Sequence, residues 1–176
     1  MADQPDVWSC QDATYVSHPV VRCVLTALPR ITTIFMRLPD GFIMDLWDGT
    51  AGSLSRIDDP ATTYTHGELR AVLGAIIADV APDRILTMDS INSADFDHPD
   101  HVASARFATE AAQDWGQIDT VDVYRGYSIM LSPPNLTQAE HDEKVRLMGL
   151  YGATVPPGSD YDAWCWRQYS SPLSIP

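Results

Sequence analysis

Apolar and polar positions along the chain alternate between strand-like and helix-like periods. Ile31 to Leu38 is apolar and β-branched and predicts a buried strand, ended by the turn chemistry of Pro39-Asp40-Gly41. A Gly/Asp-rich loop runs from Asp45 to Tyr64. Thr65-His66-Gly67-Glu68 then has the capping-box pattern. Leu69, Val72, Leu73, Ile76, Ile77 and Val80 follow at helical spacing, and Pro82 stops that helix. Arg84 to Asp89 predicts a second strand, Pro99 to Trp115 a helix, and Asp119 to Ile129 a third strand. Thr137-Gln138-Ala139-Glu140 is a second capping box, opening a helix to about Tyr151. Pro156-Pro157-Gly158 lies in a tail, and the aromatics Tyr161, Trp164, Trp166 and Tyr169 predict a packed C-terminal helix. Residues 1–30 carry no clear period and read as irregular. Strands alternating with helices predict one α/β layered domain over 1–176 with a mostly parallel sheet, whose functional groups collect beyond the carboxyl ends of strands.

Composition narrows this picture. A chain of 176 residues, 45% apolar and 20% charged, suits one soluble globular domain. Its net charge of −13 argues against non-specific binding to nucleic acid or anionic lipid, and leaves neutral, sugar-like ligands open. No apolar stretch approaches the roughly 18 residues that span a bilayer. The opening residues Met1 to Asp6 are polar and acidic and do not read as a signal peptide. The 3 cysteines, Cys10, Cys23 and Cys165, form no C-x-x-C pair, which disfavours a zinc-thiolate cluster. Either a Cys10–Cys23 disulfide or three free thiols is compatible with the spacing, so the compartment stays open between cytoplasm and export.

The densest chemistry is Asp97-His98-Pro99-Asp100-His101, directly before a helical stretch. His98 fits the N-cap and Pro99 the first helical position. His-x-x-His spacing puts the rings about one turn apart. One imidazole suits a metal and the other hydrogen-bonding or acid/base work, with a carboxylate neighbour tuning one of them. The remaining histidines carry less. His66 belongs to a helix first turn, His141 to a charged helical face, and His18 to a loop. Arg37 ends a strand and can reach a partner or a substrate. Asp40 is a turn former or a substrate contact, and Arg125, in Tyr124-Arg125-Gly126-Tyr127, can line a pocket.

In order along the chain, Arg37-Leu38-Pro39-Asp40-Gly41, Gly52-Ser53-Leu54, His98-Pro99-Asp100-His101-Val102, Tyr124-Arg125-Gly126-Tyr127, Asn135-Leu136, Lys144 and Arg167-Gln168-Tyr169 resemble the PIG-L / LmbE-like family of zinc-dependent N-acetylglucosaminyl deacetylases. The resemblance implies a Rossmann-like three-layer sandwich. It implies hydrolysis of the acetamide of an N-acetylglucosaminyl small molecule or glycolipid. It also implies Zn2+ held by His101, a proton or hydrogen bond supplied by His98, and Asp100 orienting His98. Arg37, Asp40 and Arg125 are the expected substrate contacts.

One family element has no match. The early His-Pro-Asp-Asp motif, which brings a His and an Asp as zinc ligands and a further Asp as base, is missing, and the sole Asp-Asp pair is Asp58-Asp59. The chain therefore reads as the C-terminal two-thirds of such a domain, lacking its first strand or strands, with weak or absent zinc binding by itself. The alternative is a catalytically inactive family remnant that binds a glycan or a partner.

Overall fold

In the computed structural model, residues 7–91, 96–152, 162–171 and 173 are described. The stretch expected to be irregular forms a hairpin. β1 (Trp8–Tyr15) and β2 (His18–Leu25) pair antiparallel, Tyr15 opposite His18, so His18 opens a strand rather than lying in a loop. Val16 and Ser17 make the turn at φ 47° and 67°. Two left-handed residues give a two-residue loop the twist that its flanking strands need. Asn-Gly is the usual signal for that turn, and Val-Ser hides it. Cys10 and Cys23 sit opposite each other in the register and are joined as a disulfide, their Cα atoms 4.0 Å apart. Cys165 is free and buried.

β3 (Thr32–Phe35), inside the expected strand, adds antiparallel to β2. The Gly/Asp-rich loop holds a short helix, α1 (Ile43–Trp47), and a two-rung ladder of β4 (Leu54–Ser55) and β5 (Thr63–Tyr64). α2 (His66–Val80) starts with the expected capping box, Thr65 and Glu68 satisfying each other's backbone N–H groups, and ends on left-handed Ala81 before Pro82. Val20, Leu46, Leu54, Tyr64, Leu69, Val72 and Phe107 close into one core, with Tyr15, Ile34 and Met36 packed against it. This core welds the hairpin sheet to α2 and to α3 (Pro99–Asp114).

β6 (Ile85–Met88) and β7 (Val121–Tyr124) pair in parallel across α3, a βαβ unit, and β8 (Ser170–Ser171) pairs antiparallel with β7. Ala112, Val121 and Val123 make a second core with Ile77 and Ile85 around it. The architecture is mixed α/β. The expectation of a mostly parallel sheet does not hold among the described residues: β6–β7 is the parallel pair, and the other pairings in three small sheets are antiparallel. An apolar run shows that a strand is buried but not which neighbour it pairs with, and 31–38 joins the upstream hairpin instead of β6. The expected third strand also divides: Tyr127–Leu131 is a 3-10 turn. α4 (Gln138–Gly152) has no buried residue, and α5 (Asp162–Cys165) is a single turn. Tyr161 and Pro156-Pro157-Gly158 lie outside the described residues.

Candidate active site

The histidine motif falls where the βαβ unit puts it, between the carboxyl end of β6 and the start of α3. His98 is the N-cap in extended backbone, and Pro99 is the first helical residue. His98 Nδ1 accepts the Asp100 backbone N–H at 3.2 Å. An N-cap acceptor must present a lone pair, so in the neutral ring the proton sits on Nε2. His101, one turn on, has the opposite arrangement. Its Nδ1 is 2.7 Å from Asp97 Oδ1. A carboxylate only accepts, so Nδ1 carries a proton, and in the neutral ring Nε2 has a lone pair. The two rings lie 5.5 Å apart, centroid to centroid. One thus offers an N–H and the other a lone pair, a tautomer assignment that follows from their partners.

Asp97 is the residue that sequence reasoning passed over. Its side chain is 1% exposed, against 32% for His101. Besides His101, it accepts the backbone N–H of His98 at 2.8 Å and of Tyr127 at 3.1 Å. It thereby ties the start of α3 to the turn after β7. Gly126 belongs to the same arrangement, because a Cβ there would overlap the Asp97 carboxylate. The available signal was the i, i+4 spacing of Asp97 and His101. Tyr127 stands edge-on to His101 at 5.0 Å and also contacts Trp164 at 5.7 Å.

The expected orienting contact from the Asp100 carboxylate to His98 is not the one formed. Asp100 is buried, and its oxygens accept the N–H groups of Gly41 (2.5 Å), Ile43 (2.9 Å) and Met44 (3.3 Å). It holds the Pro39–Gly41 turn and the start of α1 against α3, and touches His98 through its main chain alone. Asp40 is exposed on that tethered turn. Gly41 beside it adopts φ 87°, which only a residue without Cβ takes at little cost. Arg37 lies apart from the histidines: its Nε is 3.8 Å from Asp58, and its guanidinium covers the Phe35 ring at 5.1 Å. Arg125 belongs to the turn that carries Tyr127, and it donates to Ser132 and Ser171.

The donor set does not fit a zinc site. Catalytic zinc takes three protein ligands and an open position. Among the described residues no group of three or more His, Cys, Asp or Glu side chains gathers. Among the described residues the two imidazoles have no third donor beside them, and the Asp97 and Asp100 carboxylates are already engaged by N–H groups. The Asp58-Asp59 pair is occupied elsewhere. Asp58 binds Arg56 through two contacts, at 2.9 and 2.8 Å, and Asp59 accepts the Thr62 hydroxyl at 2.6 Å within its own turn.

The comparison with known proteins agrees with the motif. The family model described as PIG-L, GlcNAc-PI de-N-acetylase, matches residues 21–112, and the chain belongs to that family. The match runs from β2 through the Asp100-tethered turn to the histidines and most of α3. No curated protein and no solved structure matches the chain. No helix among the described residues is long and apolar enough to cross a membrane.

Proposed function

We propose that this chain carries the histidine half of a deacetylase site that hydrolyses the acetamide of an N-acetylglucosamine-containing small molecule or glycolipid. The observation that carries the reading is the opposed tautomers of His98 and His101 within the family-matched segment. Amide hydrolysis needs an N–H donor at the developing oxyanion or leaving nitrogen, and His98 Nε2 offers one. It also needs a lone pair toward the other face of the reaction, and His101 Nε2 offers that. In this proposal His101 is the metal-side residue, His98 the proton-side residue, and Asp100 acts by fixing the Asp40 turn beside them. Zn2+ is the family's expected metal. Its remaining ligands must come from outside the described residues. The Rossmann-like sheet expected of the family is part of the same proposal, supported by the parallel βαβ unit with the histidines beyond the end of β6.

That no third donor gathers among the described residues favours a second reading, a non-catalytic family member that binds a glycan or partner. Zinc stoichiometry and acetate release from N-acetylglucosaminyl substrates, measured on the 1–176 chain, separate the two. Tight zinc with acetate release that is lost in His98→Ala establishes the deacetylase. Neither zinc nor acetate, from a folded chain supplied with zinc, overturns it in favour of the second reading.

A further inference from the structure

With 24 acidic and 11 basic residues, a cation in this chain has carboxylates in excess to choose from. Arg37, Arg56, Arg70, Arg84 and Arg146 each pair with at least one. Arg22, Arg30, Arg106, Arg125, Lys144 and Arg167 form no such pair among the described residues, and of these six Arg125 and Lys144 come together at one cavity. Arg125 donates to the Ser132 hydroxyl at 3.3 Å and the Ser171 hydroxyl at 3.4 Å, and lies 5.8 Å over the Tyr169 ring. Lys144 Nζ donates to the carbonyls of Trp164, at 3.2 Å, and of Arg167. Both cations line one cavity of about 310 Å³, walled by Tyr127, Tyr151 and Trp164. That size is at the small end for ligand pockets and fits one ring.

Half-buried cations that meet only neutral acceptors have lost hydration without gaining a counter-charge. Burial pushes the Lys144 ammonium below the usual lysine range, the neighbouring Cys165 sulfur offsetting part of the effect. An anion in the cavity would complete both cations through charge-assisted hydrogen bonds. Glu140 and Glu143 do not do so. They line an adjoining hollow that Lys144 also borders, form no ion pair with it, and are engaged by Thr137 and Arg146. Tyr127 and Trp164, tilted 36° to each other, offer apolar faces beside polar edges, a surface on which the C–H face of a sugar can lie. Tyr127, which lines this cavity, also contacts the His101 ring at 5.0 Å. Every residue involved lies outside the segment matched by the family model.

We infer that this cavity is an anion subsite, in which Arg125 and Lys144 hold the phosphate or carboxylate of a sugar whose ring rests on Tyr127 and Trp164. The sugar rests on the deacetylase reading, and the anion does not. The test is direct binding of glucose, glucose 6-phosphate and glucuronate to the 1–176 chain, followed by calorimetry and by the Trp164 indole N–H resonance. None of the three has an acetamide, so the result is independent of whether the chain hydrolyses one. At least one anion should bind about tenfold or more tighter than glucose, the scale of one charge-assisted hydrogen bond, and should shift the Trp164 resonance. A preference for one anion over the other identifies phosphate or carboxylate as the recognised group. The advantage should vanish in Arg125→Gln/Lys144→Gln and persist in Arg84→Gln. Equal affinity for all three sugars, no binding at millimolar concentration, an unmoved Trp164 resonance in the unsubstituted chain, or an advantage that survives the double substitution overturns the proposal.

Discussion

Asp97 Oδ1 lies 2.7 Å from His101 Nδ1, and this pair sets which nitrogen of His101 is left without a protein partner. Buried Asp97 also terminates two backbone N–H groups from different elements. Asp97→Ala should therefore have two separable effects. Stability should fall by about 1–3 kcal/mol, because two backbone hydrogen bonds open to water are lost at about 0.5–1.5 kcal/mol each. The His101 ring, held as the Nδ1–H form in the parent, should relax toward a mixture of tautomers. Chemical denaturation reads the first effect and ring-nitrogen NMR the second. An unchanged Nδ1–H tautomer would show that Asp97 does not orient His101.

Asp100 predicts a different pattern, although it sits between the two histidines. Its carboxylate serves Gly41, Ile43 and Met44, while its main chain serves His98. Asp100→Ala should cost about 2–5 kcal/mol through the stranded N–H groups and loosen the Asp40 turn, yet leave the His98 tautomer as it is. Hydrogen exchange at Gly41 and Ile43, together with His98 ring NMR, tests this. A His98 tautomer that changes with the substitution would restore the carboxylate as its orienting group.

These two aspartates show how far the sequence reached. The N-cap at His98, Pro99 at the first helical position, both capping boxes, α2, β6 and α3 were legible because each is a local pattern with a local cause. Which carboxylate serves which imidazole was not. That depends on loop 39–44 folding back onto α3 and on the turn at Gly126 approaching Asp97, contacts between residues far apart in sequence. The partners of strand 31–38 were hidden for the same reason, and the first hairpin because its turn lacks glycine and asparagine.

That turn is itself testable. Val16 is β-branched, at φ 47°, and Ser17 follows at 67°. Left-handed backbone costs non-glycine residues about 1 kcal/mol or more. Val16→Asn/Ser17→Gly should stabilise the protein by about 1 kcal/mol without altering the strand register. Thermal unfolding measures the gain, and a loss of stability would exclude the two-residue turn.

The disulfide spans the same hairpin, with a sequence separation of 13. A loop of that length corresponds to about 3 kcal/mol in the chain-entropy account. Reduction, or Cys10→Ser/Cys23→Ser, should lower stability by about that amount. Thiol titration of the unfolded, unreduced chain should find Cys165 alone. Three reactive thiols would remove the bridge.

The Arg56–Asp58 pair predicts how stability responds to acid. The Arg56 guanidinium, itself 7% exposed, holds the Asp58 carboxyl below the usual carboxylate range, Arg37 adding to the effect from 3.8 Å. Arg56 also donates to the Pro19 carbonyl at 2.9 Å, so the pair joins the loop around β4 to the first turn of β2. A carboxyl whose pKa is depressed on folding contributes stability that is fully present above its unfolded pKa. That contribution is lost as pH falls through the folded value. The window therefore lies below about pH 4, the ordinary aspartate range. Asp58→Asn should lower stability at pH 7 and flatten its decline below pH 4. Arg56→Met should do the same, because it removes the cause of the depression. Denaturation midpoints from pH 7 down to pH 2.5 would show the three curves converging at the acid end. Parallel curves would mean that the pair contributes packing without charge linkage.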